Sequence, residues 1–205
     1  NEGRAEDEQL ALHPKIPDIP MKNIVINNAT GVQVIDYIKG LFNGILQAFF
    51  LGNQLYMGLS YADVQENTTK YRINWNTLQP KNLNYRLADE TVVKVELKFR
   101  NDQGQQITTS TGKEGGIVKR DNLTVVTDAT TIEKVAAAKL ALEAFDGYEG
   151  MLTGLLRPYC QHGYRAEVED RQYPQRSGNY FVESVNVTFG MSGARRTIEL
   201  GIRLS

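Results

Sequence analysis

Residues 93–100 read Val-Lys-Val-Glu-Leu-Lys-Phe-Arg. Val93, Val95, Leu97 and Phe99 alternate strictly with Lys94, Glu96, Lys98 and Arg100, the period-two signature of a strand with one buried face and one charged face. Asn101-Asp102-Gln103-Gly104 supplies a turn, and Gln105–Thr109 returns as a second strand. Gly112, Gly115 and Gly116 mark a mobile tip on this reading. Downstream, Thr130 and Glu133 form a capping-box pair ahead of an Ala- and Leu-rich helix over 130–146, with Gly147 as its stop. Ala136, Ala137, Ala138 and Ala141 are small enough to let that helix lie close on a sheet.

Upstream, Thr30 and Gln33 make a second capping box before Val32, Ile35, Ile38, Leu41, Phe42 and Ile45, with Gly44 as the stop. Ile24, Val25 and Ile26 read as a short strand. Leu46–Leu51 and Gln54–Tyr61 flank Gly52-Asn53, a two-residue hairpin signal. Before this module lies an arm. Glu2, Glu6, Asp7 and Glu8 make it acidic, and Pro14, Pro17 and Pro20 keep it extended. It is either a loose terminus or a strap for a neighbouring subunit.

The C-terminal third reads as a β-meander. Met151–Leu156 runs to Pro158, His162-Gly163 turns, and Tyr164–Glu169 follows. A closing hairpin of Tyr180–Phe189 and Arg195–Leu204 turns at Gly190-Met191-Ser192-Gly193. In the last strand Ile198, Leu200, Ile202 and Leu204 are expected inside. The expected fold is therefore β-dominated α+β, with barrel-like antiparallel sheets, one packed Ala-rich helix and a smaller helix-hairpin module. Three segments are expected: an arm over 1–20, the helix-hairpin module over 21–69 and a barrel-like region over 70–205.

Composition restrains function. With 23 Lys and Arg against 24 Asp and Glu, the net charge of −1 gives no broad basic field for nucleic acid. One cysteine, Cys160, rules out an internal disulfide framework and a multi-cysteine zinc site. His13 and His162 are the only histidines. Gly112-Lys113 lacks the earlier glycine and the following Ser or Thr of a phosphate-binding loop, because Ile107 and Glu114 stand there. Cys160 and His162 lack a third orienting group. Glu167 and Glu169 share a strand face beside Asp170; this is a solvated face before it is a hydrolase pair or a calcium site. Arg165, Arg171, Arg176, Arg195 and Arg196 make this third locally basic. The longest apolar run is broken by Gln47, Asn53 and Gln54, too polar for a membrane span. The chain opens on Asn rather than Met, which leaves a removed leader or upstream segment open. No catalytic residue, cofactor or metal is expected.

The helix TTIEKVAAAKLALEAFDG, the strand YEGMLTGLL, the link RPYCQHG and the strand YRAEVED precede RQYPQRSGNYFVESVNVTFGMSGARRTIELGIRLS. In this order they resemble the C-terminal part of the phage tail baseplate hub superfamily, which includes the late control proteins and the hub portion of type VI secretion spike proteins. The phrase G-x-Y-x-V-x-x-V is carried by Gly178, Tyr180, Val182 and Val185. The segment from Lys70 through WNTLQPKNLNYRLADETVVKVELKFRNDQGQQITTSTGKEGG is similar to the same family. The resemblance implies a homotrimeric structural hub, without catalytic residues, that adapts tail-tube to spike symmetry. Its partners would be tube, spike and tape-measure proteins, and its place the virion tail, assembled in the bacterial cytoplasm. Neither sequence-specific nucleic-acid binding nor membrane insertion is implied. Glu167, Glu169 and Asp170 are expected to face Arg195 or Arg196 of the next subunit. Two rivals are a secreted or periplasmic β-scaffold binding protein, with an aromatic pocket around Tyr56, Tyr61 and Trp75, and a small peptidoglycan- or carbohydrate-active enzyme.

Overall fold

The computed structural model describes residues 10–22, 24–60, 67–78, 82–88, 92–191 and 193–204. The chain is β-dominated α+β and divides into two compact units, each assembled from two separate stretches. Unit 1 takes residues 1–62 and 91–143; unit 2 takes 63–90 and 144–205. This differs from the linear division into 1–20, 21–69 and 70–205. The partition depends on which strands pair across long sequence gaps, and no local pattern records that.

In unit 1 the alternating strand β6 (Val93–Arg100) is the centre of a three-stranded sheet. Among the described residues five strands precede it: β1 (Ala11–Leu12), β2 (Leu46–Leu51), β3 (Gln54–Leu59), β4 (Thr68–Arg72) and β5 (Leu83–Arg86). β7 (Gln106–Gly112) runs antiparallel on one side of β6 and β8 (Ile117–Leu123) parallel on the other. Between them the chain crosses the start of β6, where Lys113 N donates to Val93 O at 3.1 Å and Ile117 N to Val92 O at 2.8 Å. A Cβ on Gly112 or Gly116 would collide with those same two carbonyls. Two of the three glycines expected to form a mobile tip, Gly112 and Gly116, are instead the residues that let two backbones touch, while Gly115 has open space beside it.

Val93, Val95, Leu97 and Phe99 are all buried, as their alternation requires. Ile132, Val135 and Ala136 of helix α2 (Ala129–Glu143) belong to the same core cluster. The cap of this helix is Asp128, not Thr130. Asp128 Oδ2 accepts Thr131 N at 2.8 Å and Thr131 Oγ1 at 2.7 Å, and Ile132 N donates to Asp128 O. Two competent cap residues stand close together, and the acid wins because an anion at a helix N-terminus gains from the dipole as well as the bond. Ala137 faces solvent, Ala138 is half-buried, and the helix stops at Glu143, ahead of Gly147.

Helix α1 (Gly31–Leu41) begins with the expected capping box, with Gln33 N donating to Thr30 Oγ1 and Thr30 N to Gln33 Oε1. Its face is less apolar-sided than the spacing implies: Val32 is 69% exposed, and the buried residues are Phe42 and Ile45, just beyond the helix end. β2 and β3 form the expected hairpin, with Gly52 at φ 63° in the turn. Residues 24–26 form no strand, and Val25 and Ile26 are exposed. The described part of the arm pairs with its own chain: β1 runs parallel to β3, Ala11 opposite Gln54.

Unit 2 is a six-stranded sheet, curled as a half-barrel, in the order β4-β10-β11-β12-β9-β5. β9 is Gly147–Gly154, β10 Arg165–Glu169, β11 Gly178–Gly190 and β12 Gly193–Arg203. It is no meander. β9 pairs with β12 rather than with its successor β10, and β10 pairs parallel with β4, about a hundred positions earlier. Tyr71, Tyr148, Leu152, Cys160, Ala166, Val168, Tyr180, Val182, Ile198 and Leu200 form its core. Ile198 and Leu200 are buried as expected, but Ile202 and Leu204 are only half-buried. Register shifts flank Val182, where Tyr180 pairs with Arg203, Val182 with Leu200 and Ser184 with Glu199. The bulge on β12 breaks its alternation beyond Leu200.

Candidate functional site: an exposed hairpin and an aromatic-arginine face

The charged residues singled out in the sequence are mostly spoken for within unit 2. On the paired strands β4 and β10, Lys70 Nζ lies 2.7 Å from Glu167 and Arg72 Nε 2.8 Å from Glu169. Arg171 adds a third cation to Glu169 at 3.2 Å. That guanidinium, ahead of Arg72 and Lys70, holds the Glu169 carboxyl below the usual carboxylate range.

Asp170 points the other way. It is buried and accepts from the Tyr148 hydroxyl, from Gln172 N at 2.8 Å and from Tyr173 N at 3.0 Å. Burial pushes its carboxyl up, but the hydroxyl and the two amides outweigh that and leave it below its ordinary value. The Tyr148 phenol is pushed up, by burial first and by the carboxylate next.

Arg196 is buried too. It donates to the carbonyls of Leu156 and Pro158 and lies over the Tyr159 ring at 5.0 Å. Arg195 donates to Ala194 O. Asp170 and Arg196 are therefore internal fasteners rather than faces for a neighbour, and Glu167 and Glu169 already have cations of their own chain. Partners lying far off in sequence, Lys70 and Arg72, were invisible to the strand pattern.

The family-phrase residues all lie on β11. Tyr180 is fully buried, donates to Arg176 O at 2.9 Å and accepts from Tyr148 N at 3.2 Å. Val182 is buried between the two register shifts, Val185 is half-buried, and Gly178 opens the strand. These four residues thus build the sheet itself.

The chemical alternatives find no grouping. Cys160 is buried and its thiol is pushed up by that burial, while His162 is engaged by Glu183 O and by the Phe181 ring edge. Among the described residues no three His, Cys, Asp or Glu side chains could hold a metal ion. No described helix is long and apolar enough to cross a membrane. Tyr56 is buried in the core of unit 1, its phenol pushed up to about 12 by burial, whereas Trp75 belongs to unit 2 and Tyr61 lies outside the described residues.

Two exposed features remain in unit 2. The first is the end of the β11–β12 hairpin. β9 pairs along β12 only as far as Arg196 and β10 along β11 only as far as Phe181, so among the described residues the hairpin end, 188–191 and 193–195, pairs with no third strand. There Phe189 is 75% exposed and Met191 fully exposed, with Val187 close behind. The second is a face where Arg171 lies 5.2 Å from the Trp75 ring and Arg176 lies 4.1 Å from Tyr173 and 4.8 Å from Tyr85. Trp75, Arg171, Tyr173, Arg176 and the buried Asp170 line a cavity of about 480 Å³ there. Tyr, Trp and Arg are the residue types that dominate binding hot spots. Periodicity missed this face because its members come from two loops, after β4 and after β10, and from the strand β5.

No protein-family model and no curated protein matches the sequence. Solved structures do match. The tail protein of Neisseria meningitidis MC58 superposes with a TM-score of 0.55 at 14% identity, over 89% of this chain and 60% of that one. The fold is shared with phage tail proteins. The 43 kDa tail protein of prophage MuSo2 from Shewanella oneidensis gives 0.55 at 10% identity, over 94% and 58%. A chain in the virion of a native gene transfer agent particle gives 0.53 at 9%, over 87% and 40%. The present chain thus spans about three-fifths of the length of the first two.

Proposed function

We propose that this chain is a structural component of a phage tail, and within it the baseplate hub that adapts tail-tube symmetry to the spike. The observation that carries the reading is a fold shared along nearly nine-tenths of the chain with tail proteins, at identities so low that the likeness lies in architecture. The hub phrase on β11 and the exposed end of its hairpin support the finer assignment. On this reading three copies form a ring, and the apolar hairpin ends supply contact between neighbours or toward the tube. The ring is head-to-tail, so different patches meet and close after three copies. The role is non-enzymatic, and the tube, spike and tape-measure proteins are its partners.

The test is occupancy of the particle. Tail particles purified after induction of the encoding element should contain the chain in a fixed ratio to the tube protein, measured by quantitative mass spectrometry. Particles complete in tube and spike but lacking the chain would contradict the reading.

A further inference from the structure

The outward face of β6–β8 carries an imbalance. Lys94, Glu96, Lys98 and Arg100 point away from the core on β6, and Arg120 and Asn122 do so on β8. Glu96 is occupied by Arg120 at 2.9 Å and Lys94 at 3.9 Å. Among the described residues Lys98 and Arg100 make no ion pair. They stand where two recesses adjoin. One, of about 530 Å³, is lined by Asn43, Lys98, Arg120, Asp121 and Asn122; the other, of about 240 Å³, includes Lys98, Arg100, Gln106, Asn122 and Thr124. Among the described residues Asp121 is the only carboxylate in either lining, and it is neutralised by Lys139. The face is thus basic and furnished with the amides of Asn43, Gln106 and Asn122 and the hydroxyl of Thr124.

The sequence holds a segment of matching charge. Residues 2–8 include Glu2, Glu6, Asp7 and Glu8 against one cation, Arg4. The pairing of β1 sets the direction from which that segment arrives. β1 is parallel to β3, with Ala11 N donating to Asn53 O in the hairpin turn, so Leu10 stands at the turn end of the hairpin. Asn43, which lines the larger recess, precedes the opposite end, where Leu46 pairs with Leu59. Six residues of strand separate the two ends, about 20 Å at strand rise. The root of the segment at Leu10 therefore stands at the end of the hairpin away from its own basic recess, which favours another copy as its host.

We propose that the acidic segment 2–8 of one copy straps across Lys98 and Arg100 of a second copy. The strap deepens the ring reading and rests on it for the identity of the neighbour. Main-chain pairing at Ala11–Leu12 fixes the root of the arm, and carboxylate-to-cation contacts fix its end.

A labelled peptide of residues 1–9 tests the surface. The host is the full chain with Glu2, Glu6 and Glu8 changed to Gln and Asp7 to Asn, so that its own arm does not compete. Saturable binding at low salt is expected, weakened at least roughly tenfold by the pair Lys98→Gln and Arg100→Gln, with an unchanged melting temperature. Absent binding, or binding indifferent to that pair, overturns the proposal. So does a single-stranded oligonucleotide that binds the face more tightly than the peptide, because a nucleic acid is then its occupant.

Carboxyl-to-amine cross-linking of mixed light and heavy isotope-labelled full chains separates the arrangements. Light–heavy links from the arm to Lys98 are expected; links confined to like isotopes mean the arm folds back on its own chain and overturn the strap. Its failure is distinguishable from failure of the hub reading. A threefold ring that forms undiminished with the neutralised arm removes the strap alone. Light–heavy links without any ring alongside tube and spike remove the hub alone.

Discussion

Asp170 gathers a phenol and two backbone amides at the end of β10 and is itself only 6% exposed. Asp170→Ala leaves the buried Tyr148 hydroxyl and two part-buried amides short of an acceptor and should cost about 1–3 kcal/mol, read from denaturant melts. The pH dependence follows from the direction of the shift. The folded-state carboxyl ionises below its unfolded value, so its contribution is present above about pH 4 and is lost as the pH falls through the lower folded value. The stability gap between the wild type and Asp170→Asn should therefore be constant near neutrality and narrow below pH 4. A gap that widens there would show the carboxyl to be protonated in the fold. At the same scale, Ala136→Leu should overpack the unit 1 core by roughly 1–3 kcal/mol, whereas Ala137→Leu, on the exposed side, should melt like the wild type.

Among the elements, those legible in the sequence were the ones made by neighbours. β6 announces itself because alternate residues must face opposite sides of a sheet. The β2–β3 hairpin does so because Gly52-Asn53 suits a two-residue turn, and α1 because Thr30 and Gln33 cap each other within one turn. What stayed hidden depends on distant partners: β4 beside β10, β9 beside β12, and the ion pairs that join Lys70 and Arg72 to Glu167 and Glu169. The shift at Val182 was also hidden, since a bulge is set by how two strands accommodate each other's twist. The crossing from β7 to β8 gives a sharp test of a packing element. Gly116→Ala places a methyl against the Val92 carbonyl and should lower the melting temperature markedly, while Gly115→Ala, with open space beside it, should suffer only from its φ of 81°. Equal melts for Gly116→Ala and the wild type would mean that the crossing is looser than described.

For the whole molecule, stability and assembly should separate at the hairpin end. Phe189 is largely exposed and contributes little to the isolated fold, so Phe189→Ser should leave the melt within about 0.5 kcal/mol of wild type. It should nevertheless reduce incorporation into particles, measured as the ratio of chain to tube protein. Incorporation at the wild-type ratio would move the contact surface elsewhere. The aromatic-arginine face around Trp75 is the other place to look, because its cations lie over rings at 4.1–5.2 Å and its cavity is open to a partner. Assembly as a hub is tested most directly by co-expression with any tube and spike proteins encoded beside it, followed by native mass determination and electron microscopy of the purified complex. The account predicts three copies of the chain in a closed ring carrying both partners. A chain that remains a monomer in the presence of both would contradict it.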